Sequence, residues 1–349
     1  MAWRQTGKSS GSGPRTIFAL ASTSALAVLG GCAAIHQTSQ EVTIREPGSR
    51  MLGPPQPVQP EARRDLEFAW LSETAYQKTA AGQKALAKDN EALASAGAAS
   101  APAAAAVPGK SGCPDSEQSL QTAGWQPWSG FPDDGLLEKI KRYHLRIEVW
   151  TRAEPAAVAV AFGGTVFNNE NDWLSNLRWF LPKWFLAGHP DEYSETVQQF
   201  GPAFVAEFKR RAESGDPDWA FLKHATLYST GHSLGGGLAQ QFAYALPLDA
   251  GVPRVSKVFA FDPSPVTGFY SVEPAIRDVN RQALAIDRIY ERGEILAIVR
   301  SLTSFFVQPS TSAPAIRGVR YSLFPSANPI SGHSMSTLAC KLHDAAQAP

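Results

Sequence analysis

The stretch Ala225-Thr226-Leu227-Tyr228-Ser229-Thr230-Gly231-His232-Ser233-Leu234-Gly235-Gly236-Gly237 decides the reading of this chain. Ala225 to Thr230 is β-prone, and Gly235 to Leu246 is small-residue-rich with helical character. A serine between them, with glycine two residues before and two after, marks a sharp strand–turn–helix connection. The turn forces Ser233 into a strained backbone conformation. Side chains at 231 or 235 would strike the neighbouring strand or helix, so both positions call for glycine. The hydroxyl of Ser233 then stands at the carboxyl end of a strand, beside a helix N-terminus. The N–H of Leu234 there can face a developing negative charge.

Outward from this point, strands and helices alternate. Leu145 to Thr151, Ala156 to Phe162, Val255 to Phe261, Asp287 to Tyr290 and Gly318 to Phe324 read as strands, the second almost wholly apolar and so buried. Helical spacing appears in Arg63 to Gln77, Glu192 to Arg211, Val279 to Ala285 and Ser334 to Ala346. The alternation predicts an α/β fold, a mostly parallel sheet covered by helices on both faces.

A second segment carries a resemblance. Ala159-Val160-Ala161-Phe162-Gly163-Gly164-Thr165 ends the buried strand in a turn, and Asp172-Trp173-Leu174-Ser175-Asn176-Leu177 follows. With Gly231-His232-Ser233-Leu234-Gly235-Gly236, this is similar to the class 3, fungal-type triacylglycerol lipase family of α/β hydrolases. The similarity covers about residues 140–300, with weaker support to the C-terminus. It implies an α/β-hydrolase fold, Ser233 as nucleophile, and oxyanion donors at Leu234 and Thr165. One departure stands out: an Arg often precedes the Gly-Thr pair in that family, and Gly163 stands here.

A serine hydroxyl needs a base, and the base needs a carboxylate to orient it. The hydrolase order is serine, acid, histidine. After Ser233 the chain holds His333, in a loop before the last helix, and His343 within that helix. The loop histidine is the better placed base. The resemblance puts the acid at Glu294, in the turn Arg292-Gly293-Glu294-Ile295, with Glu where the family usually has Asp. Asp262, at the end of the strand Val255 to Phe261, is the alternative, and both stay open. His232 is expected to pack and hydrogen-bond within the turn. His36, His144, His189 and His224 show no metal-ligand spacing, so no metal or cofactor is expected. Trp173, Trp179, Phe180, Leu181, Trp184, Phe185 and Leu186 form an aromatic cluster, read either as a lid over an acyl pocket or as a buried helix.

The N-terminus reads as an address. Arg4, Lys8 and Arg15 precede an uncharged apolar run from Thr16 to Leu29. That run is too short to span a bilayer, which takes about 20 residues, and suits a signal peptide over residues 1–31. Leu29-Gly30-Gly31-Cys32 resembles a bacterial lipobox, which implies lipidation at Cys32; Ala33 in place of Asp points by the same resemblance to the outer membrane. Residues 32–60 are polar and Pro-rich, as in a tether. Residues 61–124 hold one helix and a low-complexity Ala/Ser/Pro stretch over 92–109, leaving 125–349 as the lipase-like domain. In an oxidising compartment Cys113 and Cys340 make a candidate disulfide.

The chain has 349 residues, 32 basic and 32 acidic, so its formal net charge is zero. That balance excludes a nucleic-acid partner bound by a basic face. The lipase and lipobox resemblances imply as partners an acyl-ester or lipid substrate and a membrane, reached through the lipid anchor. The expected activity is serine ester hydrolysis. The competing readings are a non-catalytic hydrolase-fold surface lipoprotein and a hydrolase of another acyl bond, such as a thioester, an amide or a cell-wall ester.

Overall fold

A computed structural model describes residues 39–77, 112–141, 146–163, 192–264, 267–292, 311–323 and 333–348. The strands are β1 (Glu41–Arg45), β2 (Gln56–Pro57), β3 (Gln126–Pro127), β4 (Arg146–Arg152), β5 (Ala157–Gly163), β6 (Thr226–His232), β7 (Val255–Phe261), β8 (Ala285–Glu291) and β9 (Ala315–Ser322). The helices are α1 (Gln59–Gln77), α2 (Ser116–Thr122), α3 (Asp134–Lys141), α4 (Glu192–Ala212), α5 (Leu234–Ala245), α6 (Pro274–Asn280) and α7 (Met335–Gln347).

Among the described residues nine strands form one sheet in the order β2-β1-β9-β8-β7-β6-β5-β4-β3. The block from β5 to β9 is parallel throughout. Antiparallel strands close it at both edges, β4 and β3 on one side and β1 and β2 on the other. The sheet is thus mixed, with the parallel part at its centre, as expected where helical crossovers cover both faces.

Alternation along the strands sorts the core into two layers. Val158, Val160 and Phe162 of β5 face α4 and α5, while Ala157, Ala159 and Ala161 face α1 and α7. In the first layer Phe200, Phe204 and Phe208 lie at four-residue spacing on α4, all fully buried. Phe200 meets Phe162 at a centroid separation of 6.1 Å, and both Phe200 and Phe204 meet Phe242 at 5.7 Å. In the second layer Phe68 of α1 stacks on Phe259 of β7, centroids 3.7 Å apart.

Two regions read as peripheral belong to this core. Residues 32–60 were expected as a tether, yet Glu41–Arg45 pairs along its whole length with β9, burying Val42 and Ile44. The alternation of those five residues is a strand signal that the surrounding prolines obscure. The helix assigned outside the lipase-like domain, α1, packs on the centre of the sheet. Val279 to Ala285 was expected as a helix. The helix instead starts at Pro274, whose fixed φ suits a first turn, and Ala285 already belongs to β8. The signal peptide, Cys32 and residues 92–109 lie outside the described residues. Among the described residues no helix is long and apolar enough to cross a membrane. The sulfurs of Cys113 and Cys340 are at bonding distance, linking the segment before α2 to α7 across 227 residues.

Polar contacts hold α1 in register with the strands. Near its middle, Ser72 Oγ lies 2.7 Å from Thr230 Oγ1 of β6. Near its start, Tyr321 donates to Asp65 Oδ2 at 2.8 Å, and Arg64 Nε lies 3.3 Å from Asp65 Oδ1. Arg317 bridges Glu61 and Asp287, and Lys257 pairs with Asp287 at 2.9 Å. This charged cluster sits at the starts of β7, β8 and β9. Burial pushes the Asp65 carboxyl up to about 6, with Asp287 pushing the same way against the pull of Arg64, Tyr321 and Lys257. Burial raises Asp287 as well.

A raised carboxylate stabilises the fold while protonated and loses that contribution as pH climbs through its folded value. Stability should therefore fall between about pH 4 and 6. Asp65→Asn keeps an acceptor for Tyr321 and should raise stability at pH 7–8 by on the order of 1–3 kcal/mol, with little change near pH 4. Urea unfolding at both pH values measures this. A variant that is less stable at pH 8 would contradict it.

Candidate active site at the carboxyl ends of the parallel strands

The tip of the β6–α5 connection is Ser233, with φ 56° and ψ −120°. A non-glycine residue in this region is strained, at a cost on the order of 1–3 kcal/mol. Serine at a helix start ordinarily caps it with its hydroxyl. Ser334 does so before α7, with φ −80° and ψ 122° and its side chain accepting from the Thr337 N–H. Ser233 occupies the same place before α5 but makes no side-chain cap. Its carbonyl, like that of Ser334, accepts from main-chain N–H groups of the helix it precedes, here those of Gly236 and Gly237 at 3.1 and 3.3 Å. Ser233 and Leu234 are half-buried, while Gly235 to Tyr244 are buried without a break.

Packing enforces the turn. A Cβ on Gly231 would lie 2.4 Å from the Gly235 carbonyl oxygen and 2.7 Å from that of Phe162. One on Gly236 would come within 3.0 Å of Gly231 O and of Pro263 Cβ. The strand ends are further tied by main-chain bonds. Ser233 N–H donates to Phe261 O, and Ser264 N–H donates to Ser233 O, both at 2.9 Å.

Asp262 follows β7 directly. It is fully buried, its φ is 39°, and its N–H donates to Ile289 O at 2.8 Å. The Glu291 N–H lies 3.3 Å from Asp262 Oδ1, and Glu291 Oε1 accepts from Leu323 N–H at 3.0 Å. Glu291, buried at the end of β8, was not singled out from the sequence. The lipase resemblance points to Glu294 three residues on, and only the strand register shows that position 291 abuts Asp262.

His333 lies just before α7 and is buried. Its ring packs on that of His232, with centroids 4.6 Å apart and planes at 42°. Donor atoms of His232, Asp262 and His333 all fall within 4.8 Å of one another. His232 is buried at the end of β6, and its contacts reach beyond the turn: its ring packs on His333 and it hydrogen-bonds the His333 main chain. Burial, reinforced by the adjacent His333, holds the His232 imidazole well below the ordinary histidine range, so it is neutral at pH 7.

The structure therefore brings Ser233, Leu234, Asp262 and His333 to one end of the sheet. Thr165, Glu294 and the aromatic cluster of 173–186 lie outside the described residues. His343 is on α7, beside Trp70 and Asp344. Gly163 has a local explanation. A Cβ there would lie 2.7 Å from the Ala75 carbonyl oxygen, so the end of α1 fills the space that a side chain would take. Arg146 Nη1 reaches the same carbonyl at 3.4 Å. Searches against protein-family models and curated proteins give no match for this chain.

The turn's dependence on glycine is measurable. Gly231→Ala should destabilise the chain by more than about 2 kcal/mol, because only main-chain atoms stand in the way. Gly251→Ala, where the nearest atoms are side chains at 3.4 Å or more, should stay within about 0.5 kcal/mol of the parent. Equal effects of the two substitutions would contradict the packing argument.

Proposed function

We propose that the chain is a serine ester hydrolase with an α/β-hydrolase fold, anchored to the bacterial outer membrane through a lipid on Cys32. The observation that carries the proposal is the strained backbone of Ser233, which forgoes an ordinary helix cap at the carboxyl end of a central parallel strand. A strain of that kind persists where the surroundings over-determine it, and such positions cluster at functional sites.

In this reading the Ser233 hydroxyl attacks an ester carbonyl, and His333 takes its proton and returns it to the leaving alcohol. The Leu234 N–H, first in α5, and the Thr165 N–H bind the tetrahedral oxyanion. Water then releases the acyl group by the same route in reverse. Asp262 is the acid favoured by geometry, since its carboxylate and a ring nitrogen of His333 are within 4.8 Å. Glu294 is the acid that the lipase resemblance favours. The substrates are acyl esters of a nearby membrane, glycerides or phospholipids.

Ser233→Ala should abolish turnover of short p-nitrophenyl esters, a loss of about 10³-fold or more, without changing thermal stability greatly. Undiminished turnover would overturn the mechanism. The acid is assigned by comparing Asp262→Asn with Glu294→Gln. The former should lower kcat by about 10²–10⁴-fold, the latter by less than about tenfold. The reverse ranking would move the acid to Glu294.

A further inference from the structure

Three side chains that no sequence spacing connects meet at the site. His232 ends β6, Asp262 follows β7, and His333 precedes α7. Each is at least nine-tenths buried, with exposures of 5 %, 0 % and 8 %. One donor atom from each lies within 4.8 Å of the other two. A serine-hydrolase reading uses His333 and Asp262, and gives His232 no chemistry. Two imidazoles and one carboxylate are, however, a donor set for zinc and related divalent transition metals, and a poor one for calcium or magnesium.

The geometry is close to what such an ion needs. Bonds of about 2.0–2.1 Å in a tetrahedral arrangement place donors roughly 3.3 Å apart. Donors within 4.8 Å of one another would close to that spacing on the ion by side-chain rotation. Asp262 is tied by its N–H to the Ile289 carbonyl, His232 precedes Ser233, whose N–H bonds to Phe261 O, and His333 stands two residues before α7. Asp262 supplies a carboxylate beside the two imidazoles, and the buried Glu291 follows at the end of the neighbouring strand.

We infer that His232, Asp262 and His333 form a binding site for a divalent transition metal ion, zinc in the first place, and that its occupancy reversibly switches off Ser233 chemistry. A bound ion takes the His333 lone pair that would accept the Ser233 proton, and it takes Asp262 away from orienting that ring. No bond to the protein chain is made or broken beyond this coordination, so a chelator restores the starting state. The inhibitory consequence rests on the ester-hydrolase reading above; the metal site itself does not.

The test uses the full chain and two readouts. Cobalt(II) titrated into the protein should give the visible bands of a four-coordinate ion at one equivalent, displaced by zinc. X-ray absorption of the zinc-loaded protein should show two imidazole ligands and oxygen, without sulfur. His232→Ala and Asp262→Asn should each weaken cobalt binding by more than about tenfold. Stoichiometric zinc should suppress p-nitrophenyl ester turnover by about tenfold or more, and EDTA should restore it. Absence of the cobalt bands, or bands that persist unchanged in both variants, would overturn the site. If a variant fails to fold, the zinc absorption spectrum of the unaltered chain decides, and a shell without imidazole refutes the assignment. Cobalt bands in a protein without any ester turnover would uphold the site and sink the hydrolase reading. Turnover indifferent to zinc, with the bands present, would refute the switch.

Discussion

The close approach of two main-chain segments at the β6–α5 turn is the constraint on which the rest of the site depends. Only an absent Cβ at Gly231 lets the Gly235 carbonyl come so near, and that proximity holds Ser233 at positive φ. From there the strand ends are linked in sequence. Ser233 is bonded to Phe261 and Ser264, Asp262 to Ile289 and Glu291, and Glu291 to Leu323. A ladder thus runs across β6, β7, β8 and β9, and it fixes the carboxylate and the serine in one frame. A hydroxyl set in a rigid, strained turn loses little further freedom when it reacts, which is how preorganisation lowers a barrier.

The same sheet is buttressed from a distance. α1 runs along the strands from the charged cluster at their starts to Gly163 at their carboxyl end, where its Ala75 carbonyl closes against the backbone. The helix is amphipathic only in part: besides Leu66, Phe68 and Leu71 it buries Asp65, Ser72, Glu73 and Thr74. Buried polar groups need partners: Thr74 bonds the Leu71 carbonyl of its own helix, while Tyr321, Thr230 and Ser116 serve Asp65, Ser72 and Glu73. The last three pairs link residues far apart in sequence.

That distribution explains what could be read in advance. Strands β5 and β7 and helices α4 and α5 were legible because apolar runs and glycine punctuation are local signals. Phe200, Phe204 and Phe208 announce a helix by spacing alone. The Ser233 turn was legible for the same reason. β1 was not, because five alternating residues among prolines gain meaning only beside β9. The two-residue β2 and β3 carry no periodicity at all. Asp262 was visible as a candidate, but its proximity to His333 is a matter of sheet register and of the chain returning before α7. The convergence of His232 on the same point could not be found by looking for metal spacings, since the three donors are scattered over about a hundred residues of chain.

The central claim is that Ser233 is a nucleophile and not simply a strained turn residue. The most direct measurement is reaction of the intact protein with a fluorophosphonate, followed by mass-spectrometric mapping of the adduct. The account predicts a single adduct, on the peptide carrying Ser233, which heat denaturation beforehand abolishes. A folded protein that takes up no label, or carries it on another serine, would contradict it.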